Sequence, residues 1–138
     1  MAAMSADALE QYIDDLFPGV LQKFSVLSVE PEGRVTVKYR IGDRDMRPGG
    51  TVMGPTLMLI VDVATFLAMA SMVGPEKMAV TSNLNIQFLR KPPRDMLLCT
   101  TEVLKMGRRN AVVDARLYSE TDGNLCAKAT VTFSRPQP

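Results

Sequence analysis

Asp62 is the lone carboxylate in the longest apolar run of the chain, Leu57 to Val73. Its neighbours Leu59, Ile60, Val61, Val63 and Phe66 leave little solvent-facing surface if the run is helical. An ionised carboxylate buried without partners is costly, so Asp62 must be paired or have a raised pKa. A carboxylate tuned in this way at the edge of a cleft is what a general base or nucleophile needs. The alternative is a structural Asp, bonded to a neighbouring loop or facing a subunit boundary. Ahead of it, Met53-Gly54-Pro55 opens the same run, and Gly49 and Gly50 precede that turn. These glycines free the backbone to approach a ligand, and the first N–H groups of a helix point at whatever lies there. The helix dipole would stabilise a developing oxyanion at that point. The spacing matches neither a phosphate-binding P-loop nor a dinucleotide fingerprint.

Two basic clusters could meet a phosphorylated ligand: Arg90-Lys91 with Arg94, and Lys105 with Arg108-Arg109. Taken alone, solubility and protection of strand ends are the stronger explanation for them. The chain contains no histidine, which removes Ser-His-Asp and Cys-His catalysis, His-ligated zinc and His-based pH switching. Cys99 and Cys126 are too few for a structural zinc site or a disulfide framework, and both sit in strand-like runs. Any acid or base must therefore be a carboxylate, Lys, Tyr or Cys. With 16 Lys and Arg against 15 Asp and Glu, no bulk charge favours nucleic acid. No charged segment with an apolar stretch opens the chain, so the expected compartment is the cytoplasm.

The elements that must position these groups can be read from periodicity. A length of 138 residues, 46% of them apolar, suits one domain, 1–138, with its own core. Ser5 is a plausible N-cap for a helix to Phe17, with Leu9, Ile13 and Leu16 at helical spacing and Pro18-Gly19 as the stop. Phe24 to Glu30 and Arg34 to Arg40 read as strands around Pro31-Glu32-Gly33. Ile41 to Met53 reads as a loop of a length that is often functional. Pro55 suits a helix first turn and Gly74-Pro75 its end. The span is short for a membrane and carries a carboxylate near its middle, so a buried central helix is expected. Four strands follow. In the first, Val80, Ser82, Leu84, Ile86 and Phe88 alternate with Thr81, Asn83, Asn85 and Gln87, and the apolar set is expected to face inward. Leu97 to Lys105, Ala111 to Leu117 and Leu125 to Phe133 complete an α+β fold: one antiparallel sheet wrapped on one long helix.

From about Arg47 to Phe133 the chain resembles the hotdog-fold acyl-CoA thioesterases, especially the small phenylacetate-degradation type. In that family a His-Gly-Gly turn opens the central helix and the catalytic carboxylate follows nine residues after the His. Here the matching stretch is Met53-Gly54-Pro55, then Thr56 to Val61 and Asp62. Asn83-Leu84-Asn85-Ile86-Gln87-Phe88-Leu89 with Arg90-Lys91-Pro92, Val103-Leu104-Lys105-Met106-Gly107-Arg108, and Asp122-Gly123-Asn124-Leu125-Cys126-Ala127-Lys128-Ala129 are similar to later family segments.

The resemblance implies a hotdog fold and hydrolysis of an acyl-CoA to a carboxylic acid and free coenzyme A, with no cofactor beyond the coenzyme A of the substrate. Asp62 would be the general base or nucleophile, and the Gly54 N–H would bind the thioester oxygen. Thr81 matches a hydroxyl position reached from the partner subunit, and Arg47 a position that often carries an amide near the nucleophile. Arg90, Lys91, Arg108 and Arg109 would face the coenzyme A phosphates. A homodimer or homotetramer with sites at the subunit boundary is implied, with neither nucleic acid nor membrane as partner. Met53 and Pro55 depart from the motif and leave a second reading, a non-catalytic acyl-CoA or acyl-ligand binding protein. A dehydratase of the same fold pairs Asp with His, which this chain lacks.

Overall fold

The computed structural model describes residues 4–75 and 78–136. Helix α1 (Ala6–Leu16) begins where the Ser5 Oγ accepts the Ala8 N–H at 3.1 Å, and it buries Leu9, Tyr12 and Ile13. Strands β1 (Phe24–Glu30) and β2 (Arg34–Arg40) pair around the 31–33 turn. The expected loop from Ile41 to Met53 carries a short antiparallel pair, β3 (Met46–Arg47) with β4 (Thr51–Val52). Gly49 and Gly50 turn that pair at φ 103° and 83°, left-handed angles that favour glycine. Two-residue strands are too short to show alternation, so the sequence pattern had no means of marking them.

Helix α2 (Gly54–Val73) is followed by β5 (Val80–Phe88), β6 (Met96–Met106), β7 (Asn110–Ser119) and β8 (Leu125–Ser134). The antiparallel sheet runs β1-β2-β6-β7-β8-β5, and α2 lies against its inner face. Ala111 and Ala115 of β7 and Ala127 and Ala129 of β8 are buried there, as are Ala64 and Ala68 of α2. Small side chains on both surfaces let the helix axis sit close to the strands. Although α2 is long and apolar enough to cross a membrane, its Ile60, Ala64, Leu67 and Ala68 are fully buried in this core.

Two expectations are corrected. The helix is not covered all round: Met58 and Leu59 are 42% and 47% exposed, because one sheet encloses only one side of it. The alternation expected in β5 also fails at its start. Val80 is 59% exposed, and the register against β8 shifts between Thr81 and Asn83. Thr81 pairs with Phe133 and Leu84 with Val131, both inward positions of β8. One extra residue at Ser82 exchanges the faces, so Thr81 turns to the helix side and Val80 outward.

Candidate functional site

The bulge decides the chemistry at Asp62. Turned inward, Thr81 donates from Oγ1 to Asp62 Oδ1 at 2.7 Å. Asp62 is half-buried, and its Oδ2 accepts no hydrogen bond among the described residues. The carboxylate is thus paired through one oxygen and open through the other. The resemblance placed Thr81 on the partner subunit; here it reaches the Asp62 of its own chain.

Both residues border a cavity of about 710 Å³ between α1 and α2. Ile13, Leu16 and Phe17 supply one wall, Leu59, Val63 and Phe66 another. The ring of Phe66 stacks on Tyr12 at 5.8 Å and lies 6.1 Å from Phe133, which fixes α1 against α2 and the sheet. The volume is that of a small-molecule pocket.

Gly54 opens α2 with Met53 as N-cap, and Met53 contributes no side-chain cap. The Met53 N–H is taken by the Asp45 carbonyl at 2.8 Å, and the Thr56 N–H by the Met53 carbonyl at 3.2 Å. Pro55 has no N–H. The Gly54 N–H therefore remains as a donor without an acceptor among the described residues. A Cβ at Gly54 would meet Phe88 at 3.6 Å, an ordinary contact, so nothing within the chain requires glycine there.

Sequence reasoning missed Asp45, which is 6% exposed and holds this turn in place. Its carboxylate accepts from Lys23 Nζ at 3.0 Å, Tyr39 Oη at 2.9 Å, the Gly42 N–H at 2.8 Å and Thr56 Oγ1 at 3.0 Å. Burial pushes its pKa up, yet the Gly42 N–H, Lys23, Tyr39 and Thr56 together hold it below the ordinary carboxylate value. Burial, and then the bond to Asp45, pushes the Tyr39 hydroxyl well above its ordinary value. The sequence offered no signal for this: Asp43 and Asp45 flank Arg44 alike, but Asp43 lies at the surface paired with Arg94 at 2.6 Å.

The other expected site residues are not gathered at one point. Arg47 is exposed in β3 and makes no hydrogen bond or ion pair with Asp62 among the described residues. Arg108 and Arg109, with Lys105, line a second concavity of about 410 Å³ at the β6–β7 turn. Asn110 pairs with Ser134, and Ser134 with Val80, so this turn lies at the Thr81 end of β5. Arg90 and Lys91 lie at the opposite end, beyond Phe88 and near Gly54, with Arg90 Nη1 donating to the Leu125 carbonyl at 3.2 Å. The rise along β5 separates the two basic sets by roughly 25 Å. One ligand on one chain cannot touch both.

The sequence signature of the thioesterase superfamily matches residues 49–126, from the Gly49-Gly50 turn to the start of β8. A "putative esterase" of Saccharolobus solfataricus is 30% identical over 80% of this chain and 75% of its own length. The solved structure of a "putative thioesterase" from Silicibacter is 34% identical, with a TM-score of 0.90 over 99% of this chain and 94% of that one. A hypothetical thioesterase from Streptococcus pneumoniae, solved with coenzyme A, is 20% identical with a TM-score of 0.78, covering 95% or so of this chain and nearly all of its own (94% and 98%). The helix-wrapping sheet, the glycine turn at the helix start and the match across both establish that this chain belongs to the thioesterase superfamily and has its hotdog fold.

Proposed function

We propose that the protein is an acyl-CoA thioesterase whose active site is completed by a second copy of the chain. The observation that carries the reading is the Asp62 carboxylate, paired with Thr81 through one oxygen and open through the other beside an apolar cavity. Superfamily membership and the esterase and thioesterase relatives support thioester hydrolysis in general. The coenzyme A held by the pneumococcal neighbour supports the leaving group.

Asp62 acts on the thioester carbonyl carbon as general base, through a water positioned with Thr81, or as nucleophile. The water oxygen bonds to that carbon, directly or by cleaving the anhydride that Asp62 forms as nucleophile; the carbon–sulfur bond breaks, and the coenzyme A thiolate leaves and takes up a proton released by the water. The Gly54 N–H and the helix dipole bind the oxygen that becomes negative. These two groups cannot serve one carbonyl from the same chain. Gly54 and Asp62 are eight residues apart on α2, about 12 Å along the axis, and the Asp side chain spans only part of that gap. Midway between them stands Met58, exposed on the open side of the helix. Two antiparallel copies of α2 crossing at Met58 would set Gly54 of one opposite Asp62 of the other.

The edge strand β5 fits the same two-fold axis. Its midpoint is Leu84, and antiparallel pairing of two β5 edges about that residue would join two sheets and cover Phe88 and Val80. The Phe88 end of one chain then lies beside the Thr81 end of the other. Arg90 and Lys91 of one copy would approach Arg108 and Arg109 of its partner, where coenzyme A phosphates can meet both sets. Pro55 removes one donor from the helix start, which favours the second reading, a binding protein without turnover.

Thiol release separates the readings. Asp62→Asn and Gly54→Pro should each lower turnover by ~10²–10⁴-fold while the oligomer persists. Co-expressing the two variants should restore about a quarter of wild-type activity, because half of the mixed dimers' sites recover both groups. Wild-type turnover by the Asp62→Asn chain would refute the role of Asp62. Tight acyl-CoA binding without thiol release would establish the binding protein.

A further inference from the structure

The cavity beside Asp62 is apolar along most of its wall but has a second polar point, Lys23 beside Tyr39. Lys23 Nζ lies 3.0 Å from Asp45 Oδ2, and Asp45 Oδ1 lies 3.0 Å from Thr56 Oγ1. Thr56 precedes Asp62 by six residues on α2, about 9 Å along the axis. Lys23 and Asp62 thus border one space, with Leu59 and Val63 among the apolar residues lining it.

The ammonium has three donors. One is used by Asp45, and Nζ sits 5.1 Å from the centre of the Tyr39 ring. Among the described residues Asp45 is its only hydrogen-bond acceptor. The Tyr39 hydroxyl is itself committed to Asp45. Asp45 also settles which acyl end can be received. Because it already balances the Lys23 charge, a second carboxylate would meet a buried anion without gaining a free cation. A methyl end would displace water from the ammonium and return no hydrogen bond. A neutral oxygen acceptor satisfies the spare donor without adding charge.

We propose that Lys23 is a specificity-determining residue that selects acyl groups bearing a neutral hydrogen-bond acceptor, a hydroxyl or a ketone, at the end remote from the thioester. This rests on the thioesterase reading for the orientation of the acyl chain, with its thioester at Asp62.

Three thioesters of one length test it: octanoyl-CoA, omega-hydroxyoctanoyl-CoA and the mono-CoA thioester of octanedioic acid. The wild-type kcat/KM should favour the hydroxyl end over the methyl end by about tenfold and rank the carboxylate last. In Lys23→Met the hydroxyl preference should vanish or reverse, whereas Lys23→Arg, which keeps the cation beside Asp45, should retain it. Each preference is a ratio within one preparation, so a loss of folded protein does not alter it. The same three ligands are titrated onto the Asp62→Asn chain for their Kd, which reads the cavity without hydrolysis. Equal values for hydroxyl and methyl ends, or a preference unchanged in Lys23→Met, would overturn the proposal. Absence of turnover with all three while the Kd ranking persists would overturn the thioesterase reading and leave the cavity's preference standing.

Discussion

Replacing Asp45 by alanine removes one carboxylate and strands the groups that converge on it. Tyr39 and Thr56 are each 3% exposed, so their hydroxyls are largely shielded from bulk water once Asp45 is gone. The Gly42 N–H loses its acceptor as well. Each buried group left unsatisfied costs about 1–3 kcal/mol. The Lys23 ion pair adds little, since its side chain is 36% exposed and can be resolvated. The expected loss is ~3–5 kcal/mol, which for a domain of this size lowers Tm by about 10–15 °C. Asp45→Asn should be milder than Asp45→Ala, because the amide can keep its oxygen towards Lys23 and the Gly42 N–H while its nitrogen donates to the Tyr39 and Thr56 hydroxyls, and only the charge is lost.

The sign of the pH effect follows from the depressed pKa. A carboxyl held below its ordinary value contributes stability above the unfolded value, 3.8, and loses it as pH falls through the folded value. Wild-type Tm should therefore drop more steeply than that of Asp45→Ala as the pH is lowered below 3.8. Thermal melts from neutral pH downward, followed by circular dichroism, measure both effects. A Tm for Asp45→Ala within about 2 °C of wild type at neutral pH, against the marginal stability of such domains, would refute the account of Asp45 as the anchor of the turn.

Two further predictions concern the residues around the carboxylate. Thr81→Val removes the 2.7 Å bond to Asp62 from a site exposed enough to be rehydrated, so Tm should hold while thiol release falls about tenfold, and Thr81→Ser should restore it. Gly54→Ala places a methyl at ordinary contact distance from Phe88, so melting should be unchanged; a ~10²-fold loss of turnover would show that the glycine leaves room for what binds there, and undiminished turnover would exclude that.

The sequence made the sheet and the central helix legible because burial enforces period. Val35, Val37 and Tyr39, or Ala111, Val113 and Ala115, alternate strictly and all face the core. The turn at Gly54 and the carboxylate at Asp62 were legible for a different reason: their types are costly in an apolar run unless something is gained. Thr81 shows where this reasoning stops. Its alternation placed it outward, and a one-residue bulge at Ser82 reversed that. A bulge changes hydrogen-bond register without changing residue type, so period alone cannot reveal it. Asp45 was invisible for a related reason. Its partners Lys23, Tyr39 and Thr56 come from three separate segments, and only the folded chain brings them together.

The departure from His-Gly-Gly has a structural consequence that Asp45 helps to define. At position 53 the helix start uses only backbone: Met53 gives its N–H to the Asp45 carbonyl and its carbonyl to the Thr56 N–H. The same Asp45 then binds the Thr56 hydroxyl through its side chain. Met53 is thus held by main-chain bonds on both sides, and the turn has no need of a side-chain cap from it. Pro55 gives up one N–H, but its fixed φ suits the first helical turn and lowers the entropy of forming it. The Gly54 N–H is left both available and held in direction. A chain without histidine can therefore keep an ordered N–H donor at the helix start, because order at that point comes from a buried carboxylate and a proline.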